Sequence, residues 1–258
     1  AIQAAEPGRR LPVPPSRDEI ARLGETLNSM LARLEAALDR ERSLIADASH
    51  ELRTPLALLK TELELALARP RPADELERAL RSAAEETDRL SELAESLLLL
   101  ARADQHGLVV QPSVLSAADL VGSVASRFAA FASQVGREIA TRAPADIELW
   151  GDRARLDQAL GALVDNAFRH GRGEVRIEAV ANGRRVELHV LDQGPGFPPP
   201  FLERAFERFS RADGARSGTG TGLGLAIVAA IAQAHGGTAH AANRPQGGAD
   251  VWLSLPAP

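Results

Sequence analysis

His50 is the side chain best placed in this sequence to act as a nucleophile. It lies in the run Ser49-His50-Glu51-Leu52-Arg53-Thr54-Pro55-Leu56. A neutral imidazole attacks well at physiological pH. Glu51, next to it, could hydrogen-bond one ring nitrogen and leave the other to react. Thr54 falls one helical turn on, on the same face, where its hydroxyl could orient a water. Pro55 has no N–H for the carbonyl of Glu51 and is expected to kink or loosen a helix at this point. A solvated His beside a Glu is by itself an ordinary surface pair. A proline inside a helical stretch, with no packing reason for it, is less ordinary.

Three further runs have the chemistry of a phosphate-bearing ligand. Leu163-Val164-Asp165-Asn166-Ala167-Phe168-Arg169-His170-Gly171 offers Asn166 as a neutral oxygen ligand suited to Mg²⁺ bridging phosphates. The pair Asp165-Asn166 would serve equally as a local cap, and Arg169 and His170 would serve equally as solvated helix-end residues. Asp192-Gln193-Gly194-Pro195-Gly196 reads either as a turn or as an acid accepting a hydrogen bond from an amino group, with Gly194 and Gly196 admitting close backbone approach. Gly218-Thr219-Gly220-Thr221-Gly222-Leu223-Gly224-Leu225 runs straight into an apolar helix, and backbone donors ahead of a helix N-terminus suit a phosphate chain. No Gly-Lys-Ser/Thr follows, so this is not a Walker-type loop. Neither Gly-rich run sits between parallel strands with an acid about 20 residues on, which removes the dinucleotide-binding fingerprint.

The elements that must position these residues follow from periodicity. From Asp18 to about Ala68 the pattern is helical, capped by Ser16 or Asp18, with Ile20, Leu23, Leu27, Leu31, Leu34, Leu38, Ile45, Ala48 and Leu52 in steps of three and four. His50 is two residues from both Ala48 and Leu52, so it points away from this seam toward solvent. Arg69-Pro70-Arg71-Pro72 ends the helix. A second helix spans about Ala73 to Asp104, with a seam of Leu76, Leu80, Ala83, Thr87, Leu90, Ala94, Leu97 and Ala101. Two such helices form an antiparallel hairpin, which cannot enclose a core alone. Two copies make a four-helix bundle, so a homodimer is expected.

After a linker over Gln105–Ser113 the periods change. Helices are expected over Ser116–Val135, Asp152–Arg169 and Gly222–His235. Strands are expected over Glu138–Ala143, Ile147–Trp150, Glu174–Val180, Val186–Leu191, Thr238–Ala242 and Ala249–Leu255, with an Asn182-Gly183 hairpin. On the third helix Leu156, Ala159, Leu160, Leu163, Val164 and Ala167 form the apolar face. The fold class is α+β: a helical hairpin forming a dimeric bundle, then a sandwich of one sheet with helices on one face.

Composition narrows the function. With 30 basic against 35 acidic residues the chain has no bulk attraction for nucleic acid, and no nucleic-acid partner is expected. There is no Cys, which removes disulfides and thiolate metal sites. Tyr is absent and aromatics are few, so stacking surfaces for single strands are not expected. No apolar run approaches the roughly 20 residues that cross a membrane. The sequence opens without Met and without a signal peptide, so it reads as a fragment of a longer protein.

Taken together, the His50 run resembles the H-box of the dimerisation and phosphotransfer domain of sensor histidine kinases of two-component systems. The Asn166, Asp192, Phe206-Glu207-Arg208-Phe209 and Gly218–Leu225 runs, in this order, resemble the N, G1, F and G2 boxes of the Bergerat-type ATPase fold. The likeness covers nearly everything from Leu44 to the end, including Gly247-Gly248. It implies ATP and Mg²⁺ as cofactors, phosphorylation of His50, and transfer to an Asp of a response regulator receiver domain, with regulator phosphatase activity as well. By the resemblance Glu51 is the acid/base and Thr54 assists dephosphorylation. Asn166 coordinates Mg²⁺, with Arg169 and His170 near the phosphates and the adenosine. Asp192, Gly194 and Gly196 recognise adenine, and Gly220, Thr221, Gly222, Leu223 and Gly224 cradle phosphate. Arg208 contacts phosphate or assists transfer, under a mobile lid over about Pro198–Thr221.

Two positions depart from the family pattern. Leu44 stands where Phe is frequent, and Ala162 stands where a second Asn is usual, four residues before the metal ligand. The start of the chain, from Asp18-Glu19-Ile20-Ala21-Arg22-Leu23 through Asn28-Ser29-Met30, resembles the last helix of a HAMP signal-transmission domain. The expected organisation is therefore a signal-transmission helix over 1–35, the phosphotransfer domain over 36–106 and the catalytic ATP-binding domain over 107–258. The whole would be the cytoplasmic portion of an inner-membrane protein, meeting the membrane only through a part N-terminal to this chain. Two rivals are another ATPase of the same nucleotide fold, which the His50 run disfavours, and an idle dimeric scaffold, for which Ala162 is the support.

Overall fold

The helix expected from Asp18 to about Ala68 is present in the computed structural model as a helix over Glu19–Leu67. The structure describes residues 10–12, 19–68, 72–211 and 221–258. The expected caps Ser16 and Asp18, the turn Arg69-Pro70-Arg71 and the start of the Gly-rich run through Gly220 lie outside the described residues. The chain divides into two compact units, one up to Ser91 and one from Glu92 to Pro258.

The first unit is built on α1 (Glu19–Leu67) and the first half of α2 (Ala73–His106). α1 runs as helix straight through Pro55. The two helices are antiparallel: the Ser82 hydroxyl donates to Glu62 Oε1 at 3.2 Å, and these partners lie ten residues either side of Pro72. Exposed i,i+4 pairs such as Lys60–Glu64 and Arg81–Glu77 add about 0.3–0.5 kcal/mol each to the helices. The segment ahead of α1 is tied along it. Arg10 makes a two-pronged ion pair with Glu35, and the Asn28 amide accepts from Leu11 N at 2.8 Å and donates to Leu11 O at 2.9 Å. Leu27, Leu34, Leu38, Ile45, Leu56 and Leu80 are exposed in the single chain.

In the second unit a five-stranded sheet runs in the order β2-β4-β5-β7-β6: β2 (Ile139–Arg142), β4 (Val175–Asn182), β5 (Arg185–Leu191), β7 (Ala249–Pro256) and β6 (Thr238–Asn243). β2 and β4 are parallel and the other neighbours antiparallel. α3 (Ala117–Gln134) lies over β2 and β4, α4 (Arg153–His170) over β4 and β5, and α6 (Gly224–Ala234) over β6 and β7. One face of the sheet therefore carries the core. Val175, Ile177, Val186, Leu188, Val190, Val251, Leu253 and Leu255 alternate inward along their strands and meet Leu120, Leu156, Leu160, Leu163 and Ile231. The period-2 pattern produces this, because successive side chains take opposite faces. On the outer face Trp252 is sandwiched between His189 and His240, with ring centroids 5.3 and 5.1 Å away.

The structure departs from the sequence expectation in four places. Ser113–Ser116, expected as the end of a linker and the start of a helix, is β1, and it pairs antiparallel with β3 (Glu148–Gly151) as a separate two-stranded sheet. Four residues carry too short an alternation to read, and Ser116 both ends β1 and caps α3 by accepting from Asp119 N. The hairpin is one residue displaced: Asn182 pairs with Arg185, so the loop is Gly183-Arg184, with Gly183 at φ +61° at the first central position as in a type II′ turn. Pro199–Leu202 forms a short helix, α5, with proline in its first turn. α6 begins at Gly224 rather than Gly222, because Gly222 sits at φ +69°, outside the helical region.

Candidate functional site

α1 carries the candidate acceptor. His50 and Thr54 are exposed one turn apart, Glu51 is half-buried, and Ala48 and Leu52 on the opposite side are half-buried. The helical phase thus turns the imidazole outward, as the seam requires.

α4 carries the candidate metal ligand. Its N-terminus is fixed by Asp152, whose Oδ1 accepts from Ala154 N and Arg155 N and whose Oδ2 accepts from Gln111 N. Burial alone would push this carboxyl up, but the three backbone donors outweigh it and hold the pKa below the usual value. Asp152 N donates to His235 Nε2 at 2.9 Å, while His235 Nδ1 donates to Ile231 O at 2.7 Å, so the ring carries its proton on Nδ1 and locks α4 to the end of α6. Leu156, Ala159, Leu160, Leu163, Val164 and Ala167 are all buried, and this leaves Asn166 half-buried at the edge of that face. Asp165 and Arg169 form an i,i+4 ion pair at 2.6 Å. Partial burial and the cations Arg169 and Arg211 hold the His170 imidazole below its usual value, against the pull of Asp165 and Asp192. Ala162, one turn before Asn166, is half-buried.

Asp192 is the centre of the glycine-walled part of the site. It is only 6% exposed. Its Oδ1 accepts from Gly194 N at 2.6 Å and Ala249 N at 3.3 Å, which leaves Oδ2 to accept from a ligand. A Cβ on Gly171 would strike the Asp192 side chain, one on Gly194 would strike Gly171, and one on Gly248 would strike the Asp192 carbonyl. Three chain segments therefore approach the acid more closely than any other residue would allow. This is a built cradle, and an exocyclic amine fits its remaining acceptor. Gly196, at φ +74°, abuts Asn243. The Asn243 amide accepts from Phe197 N and donates to Phe197 O, and Arg244 Nη1 donates to Asp192 O at 2.7 Å. Asn243 and Arg244 hold the loop, and sequence reading missed both. The only signal for them is the turn-rich run Asn243-Arg244-Pro245-Gln246-Gly247-Gly248.

At the end of the Gly-rich run, Thr221 Oγ1 accepts from Leu223 N, and Leu223 is fully buried at the start of α6. Gly222 packs against the backbone of Phe209, itself at φ +56°. Gly224 opens α6, whose N-terminus has no side-chain cap, so its first N–H groups remain for an anion. Gly220 lies outside the described residues. The structure brings His170 within electrostatic reach of Asp192 and Arg211. Arg208 is instead held by Asp104, in the last turn of α2, at 2.6 Å. Among the described residues no group of three or more His, Asp or Glu side chains converges on a metal position. The donor chemistry thus fits a hard cation carried by phosphate oxygens and water with one amide oxygen from Asn166. No helix among the described residues is long and apolar enough to cross a membrane.

Three family models match the chain: the HAMP domain over residues 2–36, the His Kinase A (phospho-acceptor) domain over 40–106, and the histidine kinase-, DNA gyrase B- and HSP90-like ATPase over 151–258. The sensor histidine kinase component HK1 of Mycobacterium tuberculosis (strain ATCC 25618 / H37Rv) is 48% identical over 133 residues, 52% of this chain and 77% of that protein. The "Probable sensor histidine kinase HK" of Mycobacterium tuberculosis (strain CDC 1551 / Oshkosh) is 46% identical over 204 residues, 79% of this chain and 53% of that protein. Among solved structures, the Acinetobacter baumannii histidine kinase AdeS matches 80% of this chain and 97% of its own, with a TM-score of 0.66 at 25% identity. The chain spans about half the length of the first curated relatives it matches.

Proposed function

The chain belongs to the sensor histidine kinase family, and from that premise we propose that it is an ATP-dependent autokinase that phosphorylates its own His50 and passes the phosphoryl group to an Asp of a response regulator receiver domain. The observation that carries this reading is Asp192, buried among three glycine-bearing segments with one carboxylate oxygen left for a ligand, in the same chain as an exposed His50.

Asp192 Oδ2 accepts from the adenine amino group, and Gly194 and Gly196 let the loop close on the base. Asn166 supplies an oxygen to Mg²⁺, with Arg169 and His170 beside it. Bound Mg²⁺ supplies charge neutralisation for the phosphates. Thr221, Gly222, Leu223 and Gly224 present backbone N–H groups toward the phosphate chain, with Gly220 assigned to the same run. One ring nitrogen of His50 forms a bond to the γ-phosphorus as the bond from that phosphorus to the bridging oxygen breaks. ADP leaves, and Glu51 takes the imidazole proton. The receiver carboxylate then displaces the imidazole. Arg208 stabilises the charge on the transferring group once it has left Asp104. Thr54 orients water for removal of phosphate from the regulator.

The exposed apolar seam of α1 and α2 supports a homodimer, since two hairpins can bury what one leaves in water. The domains are 1–35 for signal transmission, 36–106 for dimerisation and phosphotransfer, and 107–258 for catalysis. The match to a HAMP domain supports a parent protein anchored in the inner membrane, with this portion in the cytoplasm.

The test is incubation of the purified chain with γ-labelled ATP and Mg²⁺, followed by acid and base treatment. Label lost in acid and kept in base, and absent from His50→Gln, is expected. Undiminished labelling of His50→Gln would overturn the assignment.

A further inference from the structure

Arg137 belongs to none of the sequence motifs, yet the end of α4 is built around it. α3 closes in a Schellman motif: Gly136 N donates to Ser133 O, Arg137 N donates to Ala132 O, and Gly136 takes φ +65°. This sharp reversal delivers the Arg137 side chain under the C-terminal turn of α4. There Nη1 donates to the carbonyls of Ala167 (3.2 Å), Phe168 (2.9 Å) and Gly171 (3.3 Å), and Nε donates to Gly173 O at 2.8 Å. The guanidinium lies 4.8 Å from the Phe168 ring centroid. Nη2 is buried and, among the described residues, has no hydrogen-bond partner.

An unsatisfied buried guanidinium nitrogen is costly and calls for a reason. The chemistry of the site supplies one. The C-terminus of a helix carries about half a negative charge. Asp165 and Asp192 add formal negative charge nearby, and Arg169 is already paired with Asp165. A polyphosphate bound beside Asn166 meets an unfavourable field unless a cation offsets it. Arg137 feels Asp192 electrostatically, while burial draws its pKa below the usual value. Gln193 N also donates to Arg172 O, so the segment that Arg137 holds is bonded directly to the Asp192 loop.

We propose that Arg137 is a positioning residue for the triphosphate: from beneath the C-terminal turn of α4 it supplies the charge that lets a polyphosphate bind at a helix C-terminus. This rests on the nucleotide reading given above. Its charge and its hydrogen-bonding span separate by substitution. Lys keeps the charge but cannot span four carbonyls, and Gln keeps neither charge nor span.

The test is calorimetric titration of the full chain with MgATP and, separately, with adenosine. Arg137→Gln is expected to weaken MgATP binding about tenfold and adenosine binding less than about twofold. Arg137→Lys is expected to keep the wild-type ratio of MgATP to adenosine affinity. Equal loss of both ligands in Arg137→Gln would mean structural damage only and would overturn the proposal, as would unchanged MgATP affinity. Should Arg137→Gln fail to fold, Arg137→Lys decides: a collapsed ratio there overturns the charge role. Failure of the wild-type chain to bind MgATP removes the nucleotide reading and this inference with it, whereas wild-type binding with an insensitive Arg137→Gln removes the inference alone.

Discussion

Arg208 Nη2 donates to Asp104 Oδ1 at 2.6 Å, joining two residues 104 positions apart in sequence. Both side chains are about a quarter to a third exposed. The cation assigned to the transferring phosphoryl group is therefore neutralised by the last turn of α2 in this arrangement. Asp104→Ala is expected to raise the rate of autophosphorylation about two- to fivefold, the size of a partly exposed ion pair. Arg208→Ala is expected to lower it about 100-fold or more. Initial rates with labelled ATP check both. A slower Asp104→Ala protein would show that the pair assists catalysis rather than restraining it.

Asp192→Asn keeps the volume of the side chain but turns one oxygen into a donor. Its remaining oxygen must serve Gly194 N and Ala249 N, so its NH₂ faces the ligand amine. Nucleotide affinity is expected to fall by about 1–3 kcal/mol. Titration with MgATP measures it, and wild-type affinity would remove Asp192 from adenine recognition.

Gly248 and Gly183 give a matched contrast in stability. Both have positive φ, but a Cβ on Gly248 meets the Asp192 carbonyl, whereas one on Gly183 meets open space. Gly183→Ala is expected to cost about 1 kcal/mol and Gly248→Ala about 1–3 kcal/mol more, with loss of nucleotide binding. Urea unfolding of the two variants decides; equal midpoints would contradict the cradle.

His189 sets a pH dependence on the sheet. Burial lowers its affinity for a proton, but the hydrogen bonds it donates to the Asp250 and Glu187 carboxylates, and their negative charge, outweigh this and raise its pKa. The native state thus binds the proton more tightly than the unfolded chain does. The stabilisation is complete below the ordinary imidazole value of about 6.5 and is lost as pH rises through the raised folded value. The opposing shift at His170 is common to both proteins when wild type is compared with His189→Gln. The wild-type advantage in melting temperature is expected to shrink as pH rises above about 6.5. A constant difference would rule the ion pairs out as its source.

Leu80 and Leu56 are each more than half exposed in the single chain. Leu80→Glu is expected to shift the protein from dimer to monomer by sedimentation, since a charge in a bundle seam lacks a partner. A wild-type monomer would contradict the seam.

What could be read from the sequence tracks how local its causes are. Six of the seven buried residues of α4 follow from a 3.6-residue period of apolar side chains, the seventh being Gly161, and the outward turn of His50 follows from the phase of its helix. Asp192 could be named because aspartate followed by spaced glycines is a local signal. β1 could not, because its pairing with β3 joins four-residue segments more than thirty residues apart. Arg137 was invisible for a different reason: its partners are main-chain carbonyls, which any sequence supplies. The Asp104–Arg208 pair likewise depends on where α2 ends relative to the turns after α5.

The stacking of Trp252 between two imidazoles gives the molecule an internal optical probe. The chain has two tryptophans and no tyrosine, so near-ultraviolet emission comes from Trp150 and Trp252 with no phenolic background. A protonated imidazole stacked on indole quenches its emission. Replacing Trp150 with Phe would therefore leave a single fluorophore whose brightness reads the charge on His189.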